Sequence, residues 1–577
     1  MRKVFMVLVL AGALQAQSLT GLDEFVAAQM KAWNVPGVAV AVIKDGKVIH
    51  SKGYGYRDVK KQLPVTTKTL FAIGSSSKAF TVASLGVLVD QGKLDWDKPV
   101  REYLPAFRMY DAFASERMTP RDLVTHRSGL PRHDLLWYNT SFTRKEMFER
   151  LRYLEPNKDF RTTFQYQNLM FMTAGYLAGE VSGGTWESVV REHIFKPLQM
   201  NSSNLSVLES QKSPDFALPY RKVKEEVKEI PFRVIDQIGP AGSINSNIEE
   251  MTNYLTMQLG KGKFGNTQVI SENNLQQMHT PQMVQADPIR WTELGHSSYG
   301  MGWFITSYRG HKMVHHGGNI DGFSAMVNFL PQDNMGVVVL TNLNGTRLRD
   351  LLPYYVFDRL LGQEPVDWTA RFKDDQKKQE AAEEEAKKKG YTQRIAGTKP
   401  THELKDYAGE FEHSGYGVFR VEMDGDKLKA TFNRISSVLG HFHYDIFEAA
   451  EDPENPFNKS KVTFAVGVKG DVETLALALD PNVPAIVFKR RATQEMTQRR
   501  FLEPLTGEYQ VGANVLKVTL QGENKLVVSI QGQPPYELIP VKGTTFDLKG
   551  ITGFSVEFKG NEIVLYQPNG TFTGKRK

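Results

Sequence analysis

Ser75 and Lys78 are the residues whose types and spacing most directly suggest chemistry, within the tetrad Ser75-Ser76-Ser77-Lys78. Residues three apart on a helix share one face, so the Ser75 hydroxyl and the Lys78 amine can meet. A serine hydroxyl becomes an effective nucleophile when a neighbouring base takes its proton. The pair therefore predicts covalent acyl transfer on Ser75, whereas Ser76 and Ser77 have no lysine three residues later.

The flanks of this tetrad distinguish it from the Ser-x-x-Lys matches that arise by chance. The ordinary interpretation is a serine N-cap followed by a solvated lysine. Here the apolar residues 70–73 lead in through Gly74, and residues 79–88 are apolar on most of their circumference. That pattern predicts a buried helix over Ser76 to Asp90. A lysine in the first turn of a buried helix needs a reason to be there.

A second cluster, Tyr166-Gln167-Asn168, carries side chains that complement such a pair. A phenol beside an active serine can shuttle its proton, and an amide can orient the substrate or the lysine. The alternative is an ordinary turn before a helix that begins at Leu169. Without Ser75, that alternative would be the default.

The third cluster is the His-His-Gly-Gly sequence of residues 315–318. Glycines on a strand edge let a substrate approach the backbone, whose N–H groups could bind an oxyanion. One alternative is a pair of surface histidines before a glycine turn, and another is a metal site with His311 and Asp321. Adjacent residues of a strand point to opposite faces, so His315 and His316 would chelate poorly together. We therefore expect no metal.

Taken together, the three clusters resemble the serine β-lactamase and penicillin-binding-protein superfamily in their order and rough spacing. The likeness is greatest to the branch that contains class C β-lactamases, D-stereospecific peptidases and related esterases. Residues 119–131 look like the Leu-Leu-x-His-x-Ser-Gly-Leu segment of that branch, and residues 299–303, Tyr-Gly-Met-Gly-Trp, also look typical. The resemblance covers residues 20–365, approximately.

This resemblance implies an α/β (α+β) fold, with a β-lactamase-like antiparallel sheet, helices on both of its faces and a helical subdomain. It makes Ser75 the acylated nucleophile. Lys78 and Tyr166 would share the general-base role, and which of them takes the proton stays open. Asn168 would position the substrate amide.

The resemblance also assigns the strand edge, where the N–H groups of Ser75 and Gly318 would form the oxyanion hole. His315 stands where β-lactamases of this superfamily usually carry the lysine of Lys-Thr-Gly, and His316 stands where the threonine falls. A fixed cation there normally meets a substrate carboxylate, whereas histidine is mostly neutral near pH 7. The form seen here, His315-x-Gly317, is commoner in esterase and peptidase relatives, so a strong preference for carboxylate-bearing β-lactams is not expected.

At 577 residues the chain is too long for one typical domain. Strand patterns at both ends of residues 17–365, with helices between them, predict a sheet closed by the two ends of that domain. Residues 366–400 are dense in charge and predict an exposed helix or a linker. Residues 401–495 and 500–577 read as two all-β, barrel-like modules, because Tyr-Ala-Gly-Glu-Phe at 407–411 recurs as Leu-Thr-Gly-Glu-Tyr at 505–509.

The first sixteen residues have the features of a secretory signal peptide. Arg2 and Lys3 precede a short apolar run, and cleavage after Ala13 or Ala16 would follow small residues. The alternative is an uncleaved anchor. Because the chain has no cysteine, disulfides are excluded, and the combination favours a bacterial periplasmic or secreted protein.

The charge balance and the motifs that are missing argue against several other classes of protein. With 71 basic and 65 acidic residues and no basic stripe, nucleic acid is not an expected partner. No later segment predicts a membrane span after signal cleavage. Neither a Gly-x-Ser-x-Gly elbow nor a His-Glu-x-x-His helix motif is present.

The sequence therefore predicts an exported serine hydrolase that cleaves esters, short peptides that can contain D-amino acids, or β-lactams, without a cofactor. The alternative is a non-catalytic, penicillin-binding-like sensor or binding protein that retains the pocket. The small-molecule substrate itself and the oligomeric state stay open.

Overall fold

The computed structural model describes residues 19–577, except residues 225, 390–392, 453, 469, 481 and 552 and the side chains of residues 386–389. The predicted signal peptide, residues 1–16, lies outside the described residues. Contacts divide the chain into two compact units, Met1–Tyr391 and Thr392–Lys577. No helix in the described part of the chain is both long and apolar enough to cross a membrane.

The first unit contains fifteen strands among its described residues. They are β1 (Gly37–Lys44), β2 (Lys47–Asp58), β3 (Leu63–Pro64), β4 (Phe71–Ala72), β5 (Tyr220–Val223), β6 (Glu226–Glu229), β7 (Asn245–Ser246), β8 (Lys263–Phe264), β9 (Thr267–Gln268), β10 (Met283–Val284), β11 (Ser298–Tyr299), β12 (Phe304–Tyr308), β13 (His311–Ile320), β14 (Phe323–Leu330) and β15 (Met335–Thr341). Nine of the described strands form one antiparallel sheet in the order β10-β11-β12-β13-β14-β15-β1-β2-β3.

The two ends of this unit meet in the middle of the sheet, as predicted. Strands β1 and β2 are joined by the two-residue turn Asp45-Gly46, whose φ angles of 50° and 73° are those of a tight hairpin. On its other side β1 pairs with β15, from Val38 opposite Thr341 to Lys44 opposite Met335. The antiparallel sheet is therefore closed by segments some 300 residues apart in sequence.

The helices of the first unit have the following bounds. They are α1 (Leu22–Ala32), α2 (Ser77–Asp90), α3 (Val100–Tyr103), α4 (Ala112–Arg117), α5 (Pro120–Leu123), α6 (Arg144–Arg150), α7 (Asn168–Ser182), α8 (Trp186–Val190), α9 (Val207–Ser210), α10 (Ile248–Leu259), α11 (Glu272–Met278), α12 (Leu348–Leu360) and α13 (Trp368–Lys389). Helix α13 falls in the predicted charged segment, and its first turns bury Trp368 and Phe372.

Helices cover both faces of the sheet, which confirms the predicted layers. On one face, Val38, Val40 and Val42 of β1 pack in a core with residues of α1 and α12. On the other face, α10 packs against β1 and β15, with Leu255 directly above Gly336. Such alternation is expected because successive strand side chains point to opposite faces.

Helix α2 lies in the interior of the first unit, and it begins one residue later than predicted. Every residue from Ser77 to Leu88 is buried, including the polar ones. A 3-10 turn, Gly74–Ser76, precedes the helix, which packs against α7. This buried helix and its leading turn carry the predicted nucleophile.

The second unit consists of two closed eight-stranded barrels within its described residues, as predicted. The first contains β16 (Gly409–His413), β17 (Gly417–Asp424), β18 (Lys427–Phe432), β19 (Ile435–His443), β20 (Ile446–Ala449), β21 (Lys461–Val466), β22 (Val472–Leu477) and β23 (Ile486–Arg491). The second contains β24 (Gly507–Val511), β25 (Asn514–Gln521), β26 (Lys525–Ile530), β27 (Tyr536–Lys542), β28 (Thr545–Leu548), β29 (Ser555–Lys559), β30 (Glu562–Gln567) and β31 (Gly570–Arg576). Short helices α14 (Leu404–Tyr407) and α15 (Arg499–Leu502) precede the barrels.

The two barrels close in the same way, which supports the faint sequence repeat. In the first, Arg490 of the last strand donates to the carbonyl of Ala408 at 2.7 Å, and its guanidinium lies 4.6 Å from the Phe411 ring centroid. In the second, Arg576 of the last strand donates to the carbonyl of Thr506 and lies 6.0 Å from the Tyr509 ring centroid. The repeated pentapeptide thus marks the first strand of each barrel.

Candidate active site

The 3-10 turn before α2 places Ser75 beside Lys78, as the helical spacing predicts. The Lys78 Nζ and Ser75 Oγ atoms are 3.1 Å apart. Lys78 is fully buried, and it is the one lysine or arginine side chain that is buried among the described residues. A buried amine next to a serine hydroxyl is the arrangement that general-base activation requires.

Two carbonyl oxygens accept hydrogen bonds from the Lys78 amine and orient it towards Ser75. Nζ donates to the Asn168 Oδ1 at 2.8 Å and to the backbone oxygen of Ala241 at 2.8 Å. A neutral amine has two N–H donors and one lone pair, so these two acceptors leave the lone pair for the Ser75 hydroxyl. Burial lowers the pKa of Lys78 well below its ordinary value; the Arg132 charge adds to this lowering and the Asp134 charge opposes it. Lys78 is therefore placed to accept a proton.

The N-terminus of α7 brings Asn168 to this amine. Helix α7 begins at Asn168 because the side chain of the preceding residue, Gln167, accepts a hydrogen bond from the N–H of Leu169 at 2.7 Å. The N–H of Gln167 in turn donates to the Nδ1 of His126 at 2.9 Å. These bonds tie the start of α7 to the segment that begins at His126.

An acidic side chain holds the other end of the Asn168 amide. Asn168 Nδ2 donates to Asp134 Oδ1 at 3.1 Å, and Trp137 Nε1 donates to the same oxygen at 2.8 Å. Arg132 Nε donates to Asp134 Oδ2 at 2.6 Å. Asp134 thereby fixes the amide that holds Lys78, while its charge is balanced by Arg132. Arg132, Asp134 and Trp137 were not predicted from the sequence, although all three lie within six residues after the segment 119–131.

Tyr166 lies against Lys78 on the side of the His126 ring. The Lys78 Nζ atom is 4.8 Å from the Tyr166 ring centroid, and the His126 ring centroid is 4.2 Å from it. Burial raises the pKa of Tyr166 above its ordinary value, although a side-chain hydrogen bond with Ser75 acts in the opposite direction. The phenol is therefore protonated at neutral pH and can donate a hydrogen bond.

Two glycines allow the nucleophile turn to contact the edge of β13. Gly74 has a φ of +53°, and a Cβ atom there would lie 2.7 Å from the N atom of Asn319. A Cβ atom on Gly318 would lie 1.7 Å from the carbonyl oxygen of Ile73 and 3.0 Å from the N atom of Ser75. Only glycine fits such close backbone approach. The predicted glycine-lined edge therefore lies directly against Ser75.

The two neighbouring serines have structural contacts of their own. Ser76 Oγ donates to the carbonyl oxygen of His316 at 3.1 Å, and Ser77 Oγ accepts from the N–H of Ile244 at 3.1 Å. Strand β12 pairs with β13 only as far as Phe304 opposite His315. From His316 onward, the edge of β13 instead faces the nucleophile turn.

His315 and His316 lie on opposite faces of β13, as expected. His315 is half-buried and stacks on Phe304 with ring centroids 5.5 Å apart. His316 is buried, and its Nε2 lies 3.1 Å from the Tyr299 hydroxyl. Burial lowers the pKa of His315 to about 4 and that of His316 to about 3. Both imidazoles are therefore neutral near pH 7.

The residues of the alternative metal site are not brought together. His311 Nδ1 lies 2.9 Å from both carboxylate oxygens of Asp333. Asp321 accepts from Arg233 Nε and from the Tyr138 hydroxyl, each at 2.6 Å. Within the described residues, no group of three or more histidines and carboxylates is arranged to hold a metal ion.

A cavity of about 240 Å³ opens over Ser75. Its walls combine apolar side chains with the Arg132–Asp134 ion pair and with Asp321, whose carboxylate is paired with Arg233 outside the lining. The lining residues are Gly74, Ser75, Arg132, Asp134, Trp137, Tyr138, Asn168, Ile235, Ile238, Ala241, Gly242, Asn319, Ile320 and Asp321. The sequence predicted Ser75 and Asn168 for this site, while most of the cavity wall was not predicted because it comes from distant loops.

Residues 22–361 match the family model described as Beta-lactamase, and residues 393–490 match the model described as domain of unknown function DUF3471. The fold and the buried serine–lysine pair define a serine hydrolase. The chain belongs to the beta-lactamase family, as the sequence analysis predicted.

Relatives and a solved structure agree with this assignment. The chain is 28% identical over 432 residues to the unguisins hydrolase of Aspergillus campestris, which covers 70% of this chain and 78% of that protein. It is 26% identical over 344 residues to the protein flp of Staphylococcus aureus, covering 58% and 65% of the two chains. The octameric penicillin-binding protein homologue from Pyrococcus abyssi has the same fold, with a TM-score of 0.54 and 20% identity, covering 96% and 99%.

Proposed function

We propose that this protein is an exported hydrolase that forms an acyl-enzyme on Ser75 and releases the acyl group to water. One observation carries the proposal. The Ser75 hydroxyl lies 3.1 Å from a fully buried amine that two carbonyl oxygens hold in place. Burying an amine costs free energy, so a fold that keeps one beside a serine is best explained by chemistry at that serine.

In this proposal Lys78 is the general base and Tyr166 is the proton donor. The lowered pKa of Lys78 makes its neutral form available, whereas the raised pKa of Tyr166 keeps the phenol protonated. Lys78 takes the proton as the Ser75 oxygen attacks the carbonyl carbon. Tyr166 then gives its proton to the leaving group as the bond to it breaks, and the proton held by Lys78 passes to Tyr166, so that both side chains return to their starting states. Environments that push two pKa values apart are the usual way to assign an acid and a base.

The N–H groups of Ser75 and Gly318 form the proposed oxyanion hole. The short approach of Gly318 to the Ser75 N atom supports this placement. Backbone donors fixed before reaction stabilise the charge that develops on the carbonyl oxygen. Gly317 continues the same open strand edge, along which a substrate backbone can lie. Asn168 both holds Lys78 and lines the cavity, where it can contact a substrate amide.

The proposed substrates are esters and short peptides with uncharged acyl groups. His315 occupies the strand position where a carboxylate-binding cation would be useful, but burial holds its pKa at about 4. Arg132, the one lysine or arginine that lines the cavity among the described residues, is paired with the Asp134 carboxylate. A relative is named as a hydrolase of unguisins, which supports hydrolysis over binding alone. Peptides with D-amino acids fall within this class.

A rapid-mixing experiment with a p-nitrophenyl ester tests the proposal. We expect a burst of p-nitrophenol equal to the enzyme concentration, followed by slower steady turnover, because so reactive an ester should acylate Ser75 faster than water removes the acyl group. Ser75→Ala should abolish both phases. Ser84→Ala is the matched control, since Ser84 is buried on the same helix and bonds only to the Phe80 carbonyl in the described structure.

The same experiment separates the alternative. A burst without steady turnover would identify a sensor or binding protein that is acylated once. Turnover that survives Ser75→Ala would refute the proposed nucleophile. Export is tested separately by finding whether the mature chain begins after Ala13 or Ala16.

A further inference from the structure

We propose that His316, together with Tyr299, is a positioning device that orients the Gly317–Gly318 peptide so that its N–H faces Ser75. The inference rests on the proposed function, because it assigns the residues that prepare the Gly318 donor of the oxyanion hole. It does not make His316 a base, an acid or a metal ligand. The role is one of orientation through the backbone.

The hydrogen bonds of His316 determine which of its ring nitrogens carries the proton. The carbonyl oxygen of Gly317 lies 2.7 Å from Nδ1, and a carbonyl oxygen can only accept. Nδ1 is therefore the donor. A neutral imidazole has one N–H, so Nε2 is an acceptor, and the Tyr299 hydroxyl 3.1 Å away donates to it.

The protonation state agrees with this assignment. Burial, assisted by the nearby charges of Lys78 and Arg349, lowers the pKa of His316 to about 3, although the hydrogen bond to Gly317 opposes the shift. The imidazole is therefore neutral near pH 7. Tyr299 itself is fully buried, and burial raises its pKa well above the ordinary value, so it remains a donor.

A bond to the Gly317 carbonyl fixes the direction of the Gly318 N–H. The two groups belong to one planar peptide and point in opposite directions. On the opposite edge of β13, the His316 carbonyl accepts from Ser76 of the nucleophile turn. Backbone groups of alternate strand residues leave the same edge. The Gly318 N–H therefore leaves β13 on the edge that faces Ser75.

The next carbonyl along the strand is also anchored. The Arg349 guanidinium donates to the carbonyl oxygen of Gly318. With His316 on the preceding carbonyl, both peptides that flank the Gly318 α-carbon are held by side chains.

Two successive glycines make such anchoring useful on one edge of β13. On the other edge, Gly317 and Gly318 pair with Met326 and Ala325 of β14, whereas β12 ends its pairing at His315. Among the described residues no strand pairs with Gly318 on the edge that faces Ser75, and glycine has no side chain that restricts φ and ψ, so the side-chain anchors add to the order that β14 supplies. An oxyanion-hole donor is effective when it is oriented before charge develops. His316 supplies this orientation from the buried face of the strand, without touching the substrate.

Three variants test the positioning role on the full-length protein. His316→Leu removes both ring nitrogens, His316→Asn keeps an N–H donor near the position of Nδ1, and Tyr299→Phe removes the donor to Nε2. His279→Leu is the matched control, because His279 is also buried and bonds only to Gln258 among the described residues. Each variant is assayed with an ester and with its thionoester, in which sulfur replaces the carbonyl oxygen.

For His316→Leu we expect kcat for the ester to fall by about 10- to 100-fold with KM little changed, because the donor acts in the transition state. The preference for ester over thionoester should fall as well, since a misaligned N–H no longer distinguishes oxygen from sulfur. His316→Asn should stay within about threefold of the wild type, and Tyr299→Phe should lie between the two. The control His279→Leu should leave the ester preference unchanged.

An unchanged kcat in His316→Leu would overturn the positioning role. An equal loss for ester and thionoester would also overturn it, because that result indicates general damage to the fold. If His316→Leu does not fold, Tyr299→Phe decides the question by the same ester preference. A wild-type protein without Ser75-dependent hydrolysis of the ester would instead refute the proposed function, and this inference with it.

Discussion

The two units of this protein differ in what they bury. The catalytic unit encloses Lys78, His126 and His316 in its interior, where each ionisable group loses hydration. The barrels enclose mainly aromatic and aliphatic side chains, such as Phe411 and Phe488, and bury no lysine or arginine among their described residues. Among their described residues the barrels do bury one histidine, His443, and one carboxylate, Asp480. The difference teaches that a buried cation, which costs stability, is kept where it can be used for catalysis.

The comparison is tested by replacing one cation in each unit with methionine, the buried Lys78 in the catalytic unit and the half-buried Arg490 in the first barrel. The largest effect is expected from Lys78→Met, which preserves side-chain volume but removes the proposed base. We expect kcat/KM for esters to fall at least about 1,000-fold, because Ser75 is then unassisted. Steady-state kinetics measures the loss, and circular dichroism verifies that the variant is folded. Activity within tenfold of the wild type would contradict the assignment of Lys78.

A pair of variants beside Lys78 sharpens the comparison through pH dependence. The rate falls on the acid side as Lys78 becomes protonated, so this limb follows its pKa. Arg132 lowers that pKa and Asp134 raises it. Arg132→Gln should therefore move the acid limb of kcat/KM to higher pH, and Asp134→Asn should move it to lower pH. Each should also reduce the plateau about 3- to 10-fold, because each loses an ordered hydrogen bond.

The two variants are each other's control, since they alter the same hydrogen bond with opposite charge changes. If both variants move the acid limb of kcat/KM in the same direction, that limb does not follow the pKa of Lys78.

The smallest effect on activity is expected from the barrels. Arg490→Met removes three hydrogen bonds, to the carbonyl oxygens of Asp406, Ala408 and Val472, together with the ring contact to Phe411. It should destabilise the second unit by about 1–3 kcal/mol. Urea unfolding followed by fluorescence measures this change, with Arg576→Met as the equivalent variant of the second barrel. Ester hydrolysis should remain within about twofold of the wild type. A loss of activity as large as that of Lys78→Met would contradict the conclusion that catalysis depends on the first unit and not on the barrels.

Local patterns in the sequence predicted the elements whose signals are contained in a few neighbouring residues. The Asp45-Gly46 turn, the buried helix after Ser75 and the Ser75–Lys78 pairing all follow from spacing and residue type. The repeated pentapeptide likewise predicted two similar β modules. In each case the information lies within one turn, one helix or one strand.

The remainder of the site could not be predicted because it depends on contacts between distant segments. The Ala241 carbonyl that holds Lys78 lies 163 residues further along the chain and has no side-chain signal. Tyr299 was noted only as part of a typical segment, and its bond to His316 depends on sheet geometry. Arg132 and Asp134 come directly after the segment 119–131, which resembles the family. Two opposite charges at that position were the one sequence signal that could have indicated their place in the site. The predicted domain limits stay predictions, although the chain divides into its two units after residue 391.

Mass spectrometry of the full-length protein after treatment with a fluorophosphonate probe tests the central claim most directly. In the proposed mechanism Lys78, Tyr166 and the Gly318 edge, from three distant segments, together activate the Ser75 hydroxyl. We therefore predict a single covalent adduct on Ser75. The adduct should be absent from Ser75→Ala and present in Ser84→Ala. An adduct on Ser76 or Ser77, or an active enzyme that gives no adduct, would contradict the account.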